Sequence, residues 1–167
     1  MVLKKYSQFK YPEYFNDLAY DIGKARSIIS SGIYKKGTKK YRGDKEEEIS
    51  TRGVLGELIV RHYFYIKNIE NRFNPIIDES PVVDWDCIVP KCKFDIKTVK
   101  QEASYFLINK EAHNNKNKYD KITHYLFVVL NGECSAFIVV FKKEDVWKWE
   151  EHKAKYTDVY RRRVYGR

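Results

Sequence analysis

Residues 81–98 bring together the side chains best suited to chemistry. They read Pro81-Val82-Val83-Asp84-Trp85-Asp86-Cys87-Ile88-Val89, then Pro90-Lys91, then Cys92-Lys93-Phe94-Asp95-Ile96-Lys97-Thr98. Period-two alternation on the second segment puts Phe94 and Ile96 on one face and Asp95 and Lys97 on the other. If Pro90-Lys91 forms a two-residue turn, Asp86 lies directly opposite Asp95, and Asp84 opposite Lys97. Carboxylates so opposed sit with Cβ atoms about 5 Å apart and repel by roughly 3 kcal/mol at an effective dielectric of about 20. Selection for stability alone disfavours such a pair. A divalent cation between the two would turn the repulsion into binding energy, and hard oxygen ligands suit Mg²⁺ or Mn²⁺. Lys97, on the face of Asp95, could orient or help deprotonate an attacking water, as phosphodiester hydrolysis requires. Glu57 sits in an otherwise apolar helical stretch, where a charged carboxylate needs a partner. The same cation would supply one.

Several elements must position these groups. Tyr14, Leu18, Ile22, Ala25 and Ile29 recur at helical spacing and predict a helix over 13–31. The charged, glycine-punctuated stretch 35–48 predicts a loop. A second helix is expected over 49–67. Its stripe is Val54, Leu55, Leu58, Ile59, His62 and Ile66, and Val60 and Phe64 add apolar surface that implies deep burial. Gly53 and Gly56 cost that helix roughly 1 kcal/mol each and are tolerable where it packs closely on a sheet. Segments 82–89 and 92–99 predict a hairpin. Polar residues 102–121 predict a short helix. Segments 123–130 and 134–141 predict buried strands joined by a tight turn at Asn131-Gly132. Residues 144–161 predict a further helix, and 161–167 a basic tail. With no internal repeat or linker, the expectation is one domain over 1–167. It would have a helical N-terminal segment, 1–48, and an α/β layer fold with a mixed sheet covered by helices.

Gly56-Glu57 on a helix, Asp86 leading an apolar strand, and then Asp95-Ile96-Lys97 resemble the PD-(D/E)XK nuclease superfamily. That superfamily includes restriction endonucleases and Holliday junction resolvases. The resemblance covers about residues 50–130. It implies a restriction-endonuclease-like αβββαβ core with a mixed central sheet flanked by helices. It also implies Mg²⁺-dependent (or Mn²⁺-dependent) endonuclease activity on DNA. Glu57, Asp86 and Asp95 would then be metal ligands, joined by the backbone carbonyl of Ile96, with Lys97 positioning the nucleophile. Many members act as dimers, so the resemblance allows a homodimer. Two departures stand out: Pro81 precedes Asp84 by three residues instead of adjoining the first Asp, and Asp84 competes with Asp86 for the hairpin role.

Other readings compete residue by residue. Glu57 could be a surface residue paired with Arg61 at i+4. Asp95 and Lys97 could line the solvated face of an amphipathic strand. Cys87 and Cys92 lack the neighbours of a zinc site, and core packing accounts for Cys87 and Cys134.

Composition sets the frame. Of 167 residues, 43% are apolar, enough for a core, and none lie in a run long enough to span a bilayer. The opening Met-Val-Leu-Lys-Lys-Tyr does not read as a secretory signal. Three cysteines argue against a disulfide framework, so a cytoplasmic setting is expected and no membrane partner. The net charge of +9 points to a polyanion such as DNA, although a chain of this charge could equally meet acidic lipid or simply be well solvated. Lys35, Lys36, Lys39, Lys40 and Arg42, then Lys100, then Arg161, Arg162 and Arg163 are candidate backbone contacts. A basic nucleic-acid-binding module without catalysis, such as a decayed nuclease, is the alternative.

Overall fold

The computed structural model describes residues 7–33, 46–77, 85–100, 105–109, 122–146, 148–149, 151–153 and 158–163. The class is mixed α/β, as the pattern predicts. Six strands form the main sheet: β1 (Ser7–Lys10), β2 (Arg72–Phe73), β3 (Cys87–Val89), β4 (Cys92–Val99), β6 (His124–Leu130) and β7 (Ser135–Lys142). Their order is β1-β7-β6-β4-β3-β2. β4 and β6 run parallel and the other neighbours antiparallel, so the sheet is mixed. A second sheet joins β5 (Tyr105–Asn109), β9 (Asp158–Arg163) and β8 (Glu151–Lys153), in that order. The helices among the described residues are α1 (Tyr14–Ile33), α2 (Glu46–Ile66) and the short α3 (Lys143–Val146). None is long and apolar enough to cross a membrane.

The centre of the sheet is buried on both faces. β6 shows this residue by residue: Leu126 and Val128 pack towards α1 and α2, whereas Tyr125, Phe127 and Val129 pack into an aromatic cluster with Phe106 and Trp149. A strand covered on both sides reads as a continuous apolar run, which is the pattern of His124–Leu130.

α2 is apolar nearly all round from Val54 to Val60 and is buried throughout that stretch. Gly56 explains how close it comes. A Cβ there would lie 1.9 Å from the Thr98 Oγ1 of β4, so only glycine lets helix and strand meet. Gly53 answers to a different neighbour. Its missing Cβ would sit 4.0 Å from Arg26 Nη1 on α1, an ordinary contact.

Several expectations are corrected. α1 buries Phe15, Ala19 and Gly23, while Tyr14 and Leu18 are exposed, so its inner stripe is set one residue later than the sequence reading placed it. The aromatic pair Tyr11–Phe15, stacked with centroids 6.3 Å apart, fixes that rotation. Within 102–121 the described residues are 105–109, which form β5 with Phe106 and Ile108 buried by alternation; the rest of the stretch for which a short helix was expected lies outside the described residues. The helix expected over 144–161 is only Lys143–Val146, and the chain then turns into β8 and β9. Arg161, Arg162 and Arg163 therefore belong to a strand, at register positions opposite Leu107, Phe106 and Tyr105. Asn131-Gly132 opens a four-residue connection instead of a two-residue turn, because Gly132, Glu133 and Cys134 all take positive φ before Ser135 resumes the ladder.

Candidate active site

The β3–β4 hairpin has the predicted register: Cys87 faces Phe94, Ile88 faces Lys93 and Val89 faces Cys92. Pro90 fixes the first central position of the turn, and Lys91 takes φ 69°, as in a type II turn. Cys87 and Phe94 are buried on the α2 side, so Asp95 and Lys97 face away from that core, as alternation requires.

Asp86 departs from the simple ladder. Its N–H donates to the Phe94 carbonyl at 2.8 Å, although Phe94 is already the register partner of Cys87. Two residues thus oppose one, which makes a β-bulge, a device that re-aims a side chain. The result is that the Asp86 carboxylate does not simply face Asp95 across the ladder. Its Oδ2 accepts the Ile96 N–H at 2.6 Å. The N–H and carbonyl of one strand residue lie on the same edge, so the Ile96 carbonyl faces the Asp86 side as well.

Asn74 holds the bulge from the other side. Its N–H donates to the Asp86 carbonyl at 3.1 Å, and its side-chain amide donates to the Trp85 carbonyl. Arg61 of α2 in turn donates to the Asn74 carbonyl and lies 4.4 Å over the Phe73 ring. A chain of contacts therefore runs from α2 through Asn74 to the backbone that aims Asp86.

The charges converge. Burial, and next the Asp95 charge, push the Asp86 carboxyl up to about 7, with Lys97 opposing and Glu57 adding to the rise. Lys97 Nζ donates to Asp95 Oδ1 at 2.6 Å. Asp95 Oδ2 is buried and accepts no hydrogen bond among the described residues. Glu57 is 9% exposed. Burial raises its carboxyl, opposed by Arg26, Arg61 and Lys97. Its hydrogen-bonded partner is Arg26 Nη1 at 2.7 Å, so the expected surface pairing with Arg61 is replaced by a half-buried pairing across helices.

Asp86, Asp95, Lys97 and Glu57 are thus electrostatic neighbours around one edge of β4. The donor atoms suit a hard divalent cation: carboxylate oxygens, a strand carbonyl and one buried acceptor that lacks a donor. Among the described residues, however, no three His, Cys, Asp or Glu side chains are gathered closely enough to hold a metal ion as they stand. The reason is visible in the contacts. Glu57 is drawn to Arg26, Asp86 to the Ile96 N–H and Asp95 to Lys97.

Asp84 lies outside the described residues, as do Lys35, Lys36, Lys39, Lys40 and Arg42. Lys100 is exposed just past the end of β4. Arg26 and Asn74 were missed by the sequence reading. Arg26 had a signal: counted from Phe15 and Ala19, it falls on the inner stripe of α1. Asn74 had none, since its role is to bridge backbone groups.

The chain matches no family model, no curated protein and no solved structure.

Proposed function

We propose that this chain is a metal-dependent DNA endonuclease of the PD-(D/E)XK type. The observation that carries the reading is the Asp86–Asp95 pair. Two carboxylates repel each other beside Lys97 and Glu57, and one of their oxygens is buried with no donor among the described residues. The mixed sheet, in which a parallel β4–β6 pair follows an antiparallel hairpin, is compatible with the mixed central sheet of that reading.

Glu57, Asp86, Asp95 and the Ile96 carbonyl would hold the cation. When bound, a divalent ion supplies Lewis acidity and lowers the pKa of the attacking water. Lys97, anchored on Asp95, orients that water and stabilises charge developing on the phosphate. The net charge of +9 favours a phosphodiester polymer as substrate.

One observation favours the alternative, a basic DNA-binding module without chemistry: each carboxylate already has a protein partner. Calorimetric titration with Mn²⁺ separates the two. The nuclease reading expects binding by the wild type and at least a ten-fold loss in Asp95→Asn. A wild-type protein that binds DNA but no Mn²⁺ would establish the binding module instead.

A further inference from the structure

Arg26 reaches the site along a prepared path. Gly23, one turn earlier on α1, sits where a Cβ would come within 2.5 Å of the Thr51 Cα. That absence lets α1 and α2 approach closely, and it brings Arg26, on the same helical face, over α2. There its guanidinium passes Gly53, and Nη1 meets Glu57 Oε1 at 2.7 Å. The Glu57 side chain is 11% exposed, but that of Arg26 is 37% exposed. One end of the guanidinium is thus anchored on a buried carboxylate while the side chain still reaches solvent.

Arg26 is the foremost of the cations that oppose the burial of Glu57, and Arg61 and Lys97 act on the same carboxylate. Among the described residues, and counted at full ionisation, the three carboxylates Glu57, Asp86 and Asp95 are matched by the three cations Arg26, Arg61 and Lys97. A divalent ion added to this set leaves a net positive site, and the anion that would complement it is a phosphodiester. Arginine offers five N–H donors in a planar fork that matches phosphate oxygens, and only one of them is needed for the Glu57 contact.

We propose that Arg26 is a substrate-binding residue that clamps a DNA phosphate at the edge of the metal site, with Glu57 as its anchor. This rests on the nuclease reading of the same site.

The test is binding of a short fluorescent duplex, followed by anisotropy at saturating Mg²⁺ over a range of salt concentrations. A Lys97→Ala background prevents turnover. Arg26→Gln is expected to weaken binding about ten-fold or more and to reduce the slope of log K against log salt by about 0.9, the loss of one phosphate contact. Arg26→Lys, which keeps both the ion pair and a point charge, should restore the slope and part of the affinity. An unchanged slope in Arg26→Gln, with Mn²⁺ binding intact, would overturn the clamp and leave the metal site standing. Absence of Mn²⁺ binding in the wild-type chain would overturn the nuclease reading, and the clamp with it.

Discussion

Asp86 makes the metal-free protein sensitive to pH in an unusual direction. Its carboxyl, ordinarily at 3.8, is pushed up to about 7, first by burial and then by Asp95. The folded state therefore holds a proton that the unfolded chain has released. Stability from this group is complete below 3.8 and is lost as pH rises through about 7. Between pH 5 and pH 8 the loss reaches about 3 kcal/mol. That figure is a ceiling, because Asp86 is half-buried and solvent screens part of the effect. Asp86→Asn keeps an oxygen for the Ile96 N–H but cannot ionise. The assay is urea denaturation in EDTA at intervals from pH 5 to pH 8. The difference between wild type and Asp86→Asn reports this carboxyl together with its coupling to Asp95 and Glu57, while His124 titrates in both proteins. The wild type should lose stability relative to the variant as pH rises, and saturating Mg²⁺ should abolish the relative loss. Parallel stability curves in EDTA would refute the claim that Asp86 is held in a repulsive, desolvated place.

Two further predictions concern the parts that support the site. Gly56→Ala forces a Cβ into Thr98 and should destabilise the fold by about 1–3 kcal/mol, whereas Gly53→Ala meets only ordinary contact and should be neutral or stabilising by up to about 1 kcal/mol; chemical denaturation compares them directly. Asn74→Ala removes the amide bond to the Trp85 carbonyl while keeping the backbone bond to Asp86, so Mn²⁺ affinity measured by calorimetry should fall several-fold with little change at Asp95→Asn, where the site is already lost.

The hairpin was legible because its information is local. Pro90-Lys91 sets the turn, and alternation over Phe94–Lys97 sorts core from site without help from distant residues. Glu57 was legible as a charge in an apolar stretch of helix. The bulge at Asp86 was not, because it depends on Asn74 and Phe94 gripping the backbone from both sides. Nor was Arg26, because the rotation of α1 is set by Tyr11 and Phe15 against the core, and not by the spacing of apolar residues alone. Exposed Tyr14 and Leu18 gave a misleading stripe of similar period. The second sheet was hidden for a related reason: β9 is rich in arginine and reads as a tail until Tyr105–Asn109 pairs with it.

Plasmid cleavage decides whether the Asp86–Asp95 site cuts DNA. Wild-type protein and Asp95→Ala are each incubated with supercoiled DNA in Mg²⁺, in Mn²⁺ and in EDTA. A nuclease built on this site should nick or linearise the plasmid with either metal and not in EDTA, and Asp95→Ala should do neither under any condition while its DNA binding persists. Cleavage by Asp95→Ala at the wild-type rate would contradict it.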